Sequence, residues 1–439
     1  MSFHIVNARI VNEGKIIEGD LAIAQGRILG IGTPPPANAR VIDAEGAYLL
    51  PGMIDDQVHF REPGLEHKAT IASESRAAVA GGVTSYLEMP NCIPQTVTTE
   101  ALADKRARAA ASSMANYAFY LGATNDNLEV IKGIDPKLPC GVKIFMGSST
   151  GNMLVDDENT LEQIFAATRL VIATHCEHTP TILANEAAAH ATYGDAIPFS
   201  EHPRIRSSDA CYRSSSLAVE LARRHDARLH VLHISTAREL ALFTPGDLEQ
   251  KRITAEACVH HLFFNDTAYA THGSHIKCNP AIKTVDDQHA LWAAVNDGRI
   301  DVIATDHAPH TIAEKSSPYS QAPAGLPLVQ HALLSLFEHV HAGRFSVETV
   351  VEKTAHAPAR LFDIADRGFV RDDYWADLTL IAPTPPSADL PILAKCAWSP
   401  FRGVVFGSRV VMTWVNGELR YREGDFLPGS NGRALEFNR

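Results

Sequence analysis

The run LVIATH (170–175) has the length and apolar character of a buried strand, and it ends on a histidine. In a closed sheet of parallel strands, the side chains at the carboxyl ends meet at one rim, where such barrels carry their active sites. Several runs of this form predict a barrel with His, Lys and Asp at its rim. They are MIDDQVHF (53–60), GVKIF (141–145), LVIATH (170–175), LHVLH (229–233) and DVIATD (301–306).

The middle of the chain, residues 51–369, alternates between strand-like runs and stretches with helical spacing, such as SLAVELARRH (216–225). This alternation predicts an α/β fold, a (β/α)8 TIM-like barrel with insertions. A doubly wound open sheet is the alternative, but no GxGxxG motif follows the first strand, which argues against a dinucleotide binder. The strand-like runs lie near residues 54–60, 85–89, 118–122, 142–145, 170–175, 229–233, 253–256 and 302–306.

The two ends of the chain have a different pattern. Residues 1–50 and 370–439 consist of short β-runs broken by Gly, Asn, Asp and Pro, and VNGEL (415–419) carries an Asn-Gly hairpin signal. We expect both ends to form one small β-sandwich-like domain, and residues 51–369 to form the barrel domain.

Composition limits the classes of partner. The 439 residues include 39 Lys and Arg against 51 Asp and Glu, a net charge of −12, which argues against nucleic acid or an anionic membrane as the main partner. The negative net charge does not exclude a small anionic substrate, because local Arg and His residues can form a basic pocket.

The sequence also bears on localisation. The start lacks the pattern of a signal peptide, no run has the length of a membrane span, and the 7 cysteines form no CxxC pair. We therefore expect a cytoplasmic protein, and a homodimer as the commonest state of a soluble enzyme.

The residues at the strand ends predict a metal centre. His and carboxylate side chains suit zinc and similar divalent ions. His175 and His233 end two middle strands and could share one ion. His59 and Asp306 end the first and last strands, which are neighbours in a closed barrel, and could hold a second. Asp306 could then act as general base toward water and general acid toward a leaving nitrogen.

Lys143 is unusual in such a set, because an ammonium group repels a metal. It becomes a ligand if carbon dioxide converts it to a carbamate, whose oxygens can bridge two ions. The alternative is a plain surface lysine, but Lys143 lies inside the apolar run VKIF, before a Gly-Ser loop. We therefore expect a carbamylated Lys143 as the bridging ligand, with one or two zinc ions per chain.

Several motifs resemble the dihydroorotase branch of the amidohydrolase superfamily, and the resemblance covers nearly the whole chain, from GAYLLPGMID (46–55) to SPFRG (399–403). HFREPG and ATDHAPH are the most specific of them, and KIFMGSSTGNM (143–153) resembles the bridging-lysine strand. The others are MPN (89–91), THCE (174–177), HISTA (233–237), TAEACVHHL (254–262) and NPAIK (279–283).

The resemblance implies the reversible hydrolysis of dihydroorotate, a cyclic amide with a carboxylate, to N-carbamoyl-aspartate in pyrimidine synthesis. It implies that Arg61 and Asn91 bind the carboxylate, that His310 makes a further substrate contact, and that Asn279 contacts the ring amide. The residue types agree, since a guanidinium just beyond a strand-end ligand is suited to bidentate carboxylate recognition.

One position departs from the family pattern. Metal-dependent members carry His-x-His on the first strand, whereas this chain has Gln57 before His59. Gln57 could be a hydrogen-bond partner beside a metal held by the other ligands, or only one metal could bind well. The site could also be degraded in a non-catalytic partner of another pyrimidine-pathway enzyme. The survival of all the other ligands favours an active enzyme.

An alternative function uses the same scaffold. A related cyclic amidohydrolase of the hydantoinase or allantoinase type differs in the residues that bind the substrate.

The remaining histidines and the loop have predicted local roles. We interpret His230 as packing or support for the site, and His260 and His261 as structural. Residues 307–325 predict a long loop above the barrel, where a lid that excludes water is plausible.

Overall fold

The computed structural model describes residues 1–147, 153–387 and 391–439. Residues 148–152 of the KIFMGSSTGNM motif lie outside the described residues. The strands are β1 (Ser2–Asn12), β2 (Lys15–Ala24), β3 (Arg27–Ile31), β4 (Arg40–Asp43), β5 (Tyr48–Pro51), β6 (Met53–Val58), β7 (Val83–Glu88), β8 (Asn116–Phe119), β9 (Leu121–Gly122), β10 (Val142–Phe145), β11 (Ile172–His175), β12 (Leu229–Val231), β13 (Ile253–Cys258), β14 (Val302–Ala304), β15 (Leu378–Ser387), β16 (Phe406–Val415), β17 (Glu418–Arg422) and β18 (Asp425–Phe426). The α-helices are α1 (Ile71–Ala80), α2 (Thr99–Ser112), α3 (Leu128–Gly133), α4 (Glu158–Ala167), α5 (Thr179–Tyr193), α6 (His202–Ile205), α7 (Ser208–His225), α8 (Val259–Phe263), α9 (Tyr269–His272), α10 (Val285–Asp297), α11 (Ile312–Lys315), α12 (Ala332–His341), α13 (Val347–Val351) and α14 (Ala357–Leu361).

A barrel of parallel strands occupies the middle of the described chain. Strands β6 to β14 pair in chain order, always in parallel, with β8 and β9 acting as one strand interrupted at Tyr120. The barrel closes where Val58 bridges His307, and the His59 N–H donates to the His307 carbonyl at 2.7 Å. The predicted (β/α)8 barrel is confirmed, and its strands begin and end close to the predicted runs.

The barrel strands form because they are short, apolar and covered on both faces. Every side chain of β6, β7, β10 and β11 is buried, as is typical of parallel strands enclosed by helices. Polar side chains also join the first and last strands. Asp55 accepts hydrogen bonds from the backbone N–H and the hydroxyl of Thr305, at 3.1 and 2.6 Å. These bonds fix the relative height of β6 and β14, and so of the residues that follow them.

Capping residues define the outer helices. Thr70 before α1 and Thr284 before α10 each form a capping box, with Ser73 and Asp287 as partners. Helix α7 ends at Asp226 in the left-handed conformation. Side-chain caps therefore mark the starts of several outer helices. α-Helices connect most of the barrel strands to the next, whereas β12 and β13 are joined by short 3₁₀ turns.

The two ends of the chain build one sheet, as predicted. Its order in the described residues is β18-β17-β16-β15-β5-β1-β2-β3, with β4 paired to β1. Trp414 and Phe3 are buried at its centre, with ring centroids 6.2 Å apart. The last residues leave this sheet and return to the barrel, where Leu435 N–H donates to Tyr117 O at 2.9 Å.

The loop over the barrel is anchored by buried lysines. Residues 307–325 contain helix α11, and Lys315 at its end is fully buried, where Nζ donates to the carbonyls of Lys277, Pro323 and Gly325. These bonds hold the loop against the rim. Among the described residues, no helix combines the length and the apolar character needed to span a bilayer.

Candidate active site

The strand ends meet around one cavity. It opens at the carboxyl-terminal rim of the barrel, where the sequence places its polar strand-end residues. All the predicted metal ligands line it, and so do three of the predicted substrate residues. The lining residues are Gln57, His59, Arg61, Asn91, Lys143, Phe145, His175, His233, Asn279, Asp306, Ala308, Ala324 and Gly325.

His175 and His233 form one half of the polar rim. Nδ1 of His175 lies 2.9 Å from Nε2 of His233, a separation that suits two ligands of one ion. His175 donates its Nε2–H to Glu177 at 3.1 Å, so Nδ1 carries a lone pair. Burial lowers the pKa of both histidines, which makes them neutral and able to ligate at neutral pH.

Glu177 supports this pair from behind. The carboxylate is fully buried and also pairs with Arg206. Burial alone would raise its pKa, but Arg206 and His175 outweigh that effect and lower the pKa to about 2. Glu177 is therefore ionised, and it fixes the orientation and tautomer of His175, as carboxylates behind metal-binding histidines do.

His59 and Asp306 form the other half. Nε2 of His59 lies 3.1 Å from Oδ1 of Asp306, while Nδ1–H of the ring donates to Asn91 Oδ1 at 2.6 Å. Asp306 has a φ of 51°, and His233 has a φ of 41°. Both residues thus hold left-handed backbone conformations that are uncommon for their types, and such strain is concentrated at functional sites.

Gln57 faces Asp306 through its amide nitrogen. Nε2 donates to Asp306 Oδ1 at 3.2 Å, and Oε1 lies 3.7 Å from the sulfur of Cys258. In this arrangement Gln57 is a hydrogen-bond donor to the carboxylate. The geometry corresponds to the interpretation of Gln57 as a neighbour of the ligands.

Lys143 lines the cavity and is 1% exposed. Its Nζ lies 4.6 Å from the centre of the Phe145 ring. Burial lowers the pKa of Lys143 to about 7, so a large fraction of the amine is neutral and nucleophilic at neutral pH. An amine in this state can react with carbon dioxide, as the predicted carbamate requires.

Arg61 is a buried cation at the edge of the cavity. It is 3% exposed, and burial lowers its pKa to about 10, so it remains charged. Its Nε–H donates to the Pro309 carbonyl at 3.0 Å. Among the described residues, no carboxylate oxygen lies within 4.0 Å of the Arg61 guanidinium nitrogens, so Arg61 forms no ion pair there. Asp306, Glu88 and Glu314 act on the guanidinium only from beyond ion-pair distance, so an anion bound beside Arg61 would stabilise its buried charge.

The remaining predicted substrate residues take two positions. Asn279 lines the cavity, and its buried Oδ1 has no hydrogen-bond partner among the described residues. His310 does not line the cavity but lies behind Arg61, with Nε2 3.1 Å from Nη2 of that residue. A second cavity adjoins the first at Asn279 and Ala324.

The sequence match to known families agrees with this geometry. The model of the amidohydrolase family matches residues 48–420, which include the whole barrel. The chain belongs to the amidohydrolase family.

Known proteins are similar to this chain over nearly its full length. A dihydroorotase from Halobacterium salinarum is 34% identical over 437 residues, which cover 97% of this chain and 99% of that protein. An allantoinase from Bacillus velezensis is 30% identical over 434 residues, covering 97% and 95%. The solved structure of an L-hydantoinase (dihydropyrimidinase) from Arthrobacter aurescens has a TM-score of 0.93 at 25% identity, and 99% of each chain is covered.

His230, which the sequence predicts to pack against or support the site, lies beside two carboxylates that the sequence did not single out, Asp56 and Glu256. Below the rim, His230 Nε2 lies 3.2 Å from Asp56, and burial of the ring is outweighed by Asp56 and Glu256, which raise its pKa to about 9. Glu256 also accepts the His233 backbone N–H at 2.9 Å. His230 therefore belongs to a buried ionic layer that supports the rim. The sequence indicates this layer only through ionisable residues that interrupt the apolar strand-like runs.

Proposed function

We propose that this amidohydrolase is a dihydroorotase, which catalyses the reversible hydrolysis of dihydroorotate to N-carbamoyl-aspartate in pyrimidine synthesis. The observation that carries this proposal is Arg61, a buried guanidinium without a carboxylate partner, at the edge of a cavity rimmed by strand-end His, Lys and Asp residues. A cyclic amide that bears a carboxylate supplies the missing anion and places its ring over the rim.

The donor set fits zinc. His175 with His233, and His59 with Asp306, each present two ligand atoms about as far apart as two ligands of one ion. When bound, zinc lowers the pKa of a water and polarises a carbonyl. Lys143, as a carbamate, would complete the set between the two pairs.

Gln57 bears on the number of ions. An amide oxygen is a weak, neutral ligand, and here the amide nitrogen faces Asp306 instead. We therefore assign one tightly bound ion to His175, His233 and carbamylated Lys143. A second position, at His59 and Asp306, lacks one histidine of the family pattern and should bind its ion less tightly.

Asp306 is the proton carrier. Its Oδ1 accepts a hydrogen bond from Gln57, which orients the carboxylate over the cavity. In the hydrolytic direction Asp306 takes a proton from the attacking water and gives it to the ring nitrogen as the amide C–N bond breaks. In the reverse direction it takes that proton from the nitrogen.

Arg61 and Asn91 hold the substrate carboxylate. The Arg61 guanidinium offers charged N–H donors, and the Asn91 amide is oriented because its Oδ1 accepts from His59. Asn279 lines the cavity, and its Oδ1, which has no partner among the described residues, would accept a ring N–H. Binding of the ring between these residues excludes water from the rim.

A cyclic amidase of the hydantoinase or allantoinase type is the second candidate, because an allantoinase and an L-hydantoinase are among the similar proteins. The buried Arg61 favours a carboxylated ring over these substrates. The intact rim likewise favours a catalytic protein over an inactive partner of another enzyme.

Turnover of the zinc-loaded protein with dihydroorotate, hydantoin and allantoin tests the proposal. We expect dihydroorotate to have the highest kcat/KM, and loss of that preference in Arg61→Ala. Faster turnover of hydantoin or allantoin would replace the proposal with the second candidate. Absence of turnover with all three, in protein that contains zinc, would support the inactive partner.

We also propose that the enzyme is a cytoplasmic homodimer. Each of the seven cysteines lies among the described residues, is buried and is free, which suits a reducing compartment. Sedimentation of the purified protein would test the oligomeric state.

A further inference from the structure

Lys68 lies outside the cavity but contacts a residue behind Arg61. Its Nζ is 3.0 Å from Glu314 and 3.1 Å from Nδ1 of His310. The ion pair with Glu314 keeps the amine charged, and an ammonium group has donors only. Nδ1 of His310 must therefore accept the hydrogen bond from Lys68.

The position of the remaining proton on His310 follows. The ring is buried, and burial together with the charges of Arg61 and Lys68 keeps its pKa well below the ordinary value, so it is neutral with a single N–H. Because Nδ1 accepts, this N–H is on Nε2. It donates to the Ala324 carbonyl at 3.0 Å, and Ala324 lines the cavity.

This tautomer prevents a bond between His310 and Arg61. Nη2 of Arg61 lies 3.1 Å from Nε2, but both groups are donors. In the opposite tautomer Nε2 would carry a lone pair, and Nη2 would donate to it. The tautomer that Lys68 and the Ala324 carbonyl select together thus leaves the Nη2 donors of Arg61 for an anion.

We propose that Lys68 is a positioning residue for substrate specificity: it holds His310 in the Nε2–H tautomer and so keeps Arg61 available to the substrate carboxylate. This role rests on the proposed function, because it requires a carboxylated ring at Arg61. Lys68 does not touch the reacting amide, so it acts on carboxylate affinity and leaves ring opening largely unchanged.

The test uses zinc-loaded protein and orotate, a planar ring with the same carboxylate. In Lys68→Met, which cannot donate, we expect the Kd of orotate and the KM of dihydroorotate to rise roughly tenfold to a hundredfold, the usual effect of losing a charged hydrogen bond. The kcat should stay within about threefold of wild type, because the lost interaction concerns binding. Lys68→Arg, which also only donates, should restore both constants, and Lys132→Met, at an exposed lysine, should match wild type.

A double-mutant cycle distinguishes the mechanism from a general structural role. With His310→Ala there is no ring to capture Arg61, so adding Lys68→Met should have no further effect on orotate binding. Independent, additive losses would overturn the proposal, as would wild-type orotate binding by Lys68→Met. Failure of Lys68→Arg to restore binding would do the same. A wild-type protein that neither binds orotate nor turns over dihydroorotate would instead refute the proposed function.

A measurement on the wild-type protein does not depend on the folding of any Lys68 variant. Long-range proton–nitrogen NMR spectra of protein labelled with ¹⁵N in histidine report the tautomer of each ring, and the His310 signals are those absent from His310→Gln. We expect the Nε2–H form. An Nδ1–H ring would overturn the proposal.

Discussion

Nε2 of His59 lies 3.1 Å from Oδ1 of Asp306, although the proton of the ring is on Nδ1, where it is donated to Asn91. Burial lowers the pKa of His59, so the ring is neutral, and two lone pairs face each other. A cation between them would turn this repulsion into attraction. This relationship between the first and last strands of the barrel supports the proposed second metal position.

Gln57→His should strengthen the metal position at this pair. A second imidazole restores the family pattern, so we expect zinc content to rise from about one to about two ions per chain, the number of sites the ligands can then form. Metal analysis of protein dialysed against a fixed free zinc concentration measures the change. Gln57→Leu, which removes the amide, is the matched control and should stay at the wild-type content. Two ions in the wild-type protein would show that Gln57 withholds no site.

Lys143→Ala should remove the proposed carbamate ligand. We expect kcat/KM for dihydroorotate to fall by at least about a hundredfold, since even changes behind metal ligands cost ten- to a hundredfold in metal affinity or activity. A short carboxylic acid added to the assay should restore part of the activity, because it can occupy the position of the carbamate. Mass spectrometry of the native wild-type protein should detect carbon dioxide on Lys143. Full activity of Lys143→Ala would exclude a role for the carbamate.

Arg61→Ala should abolish selectivity for a carboxylated ring. The substrate anion would be buried without its partner, so kcat/KM for dihydroorotate should fall by roughly a hundredfold or more. Arg213→Ala, at an exposed arginine paired with Asp209, is the control. Equal loss of activity in both variants would point to general destabilisation, and unchanged kinetics in Arg61→Ala would refute the carboxylate site.

Stability should depend on pH through Lys315. Burial lowers its pKa to about 7 in the folded protein, against 10.5 in the unfolded chain. Between these values the unfolded chain binds more protons, so stability rises with pH, while below about pH 7 the full cost of burying the charge is present. The free energy of unfolding should rise between pH 7 and 9, relative to Lys315→Met, by on the order of 1 kcal/mol per pH unit. Denaturant titrations at several pH values measure this. Parallel profiles would show that Lys315 does not titrate in this range.

The rim was predictable from sequence because it depends on local rules. Strand-length apolar runs give the strands, and parallel strands in one barrel bring their last residues together, whatever their separation in the chain. His59 and Asp306 are 247 residues apart, yet their contact follows from the closure of the sheet.

The residues around the rim are positioned by loops, whose paths cannot be predicted from a periodic sequence pattern. Nothing in the sequence places Lys68 against His310, 242 residues away, or puts His310 behind Arg61 rather than in the cavity. The insertion of β5 between β1 and β15 was also unforeseen, because strand order in a sheet built from both ends depends on packing against the barrel. Buried Lys315 looks like a solvated lysine in a loop until its carbonyl partners are seen.

The decisive experiment is a crystal structure of the zinc-loaded protein with N-carbamoyl-aspartate, with anomalous data at the zinc edge. We expect zinc between His175, His233 and a carbamylated Lys143, and the carboxylate of the ligand on Arg61 and Asn91. Zinc elsewhere, or a ligand carboxylate that leaves Arg61 without an anion, would contradict it.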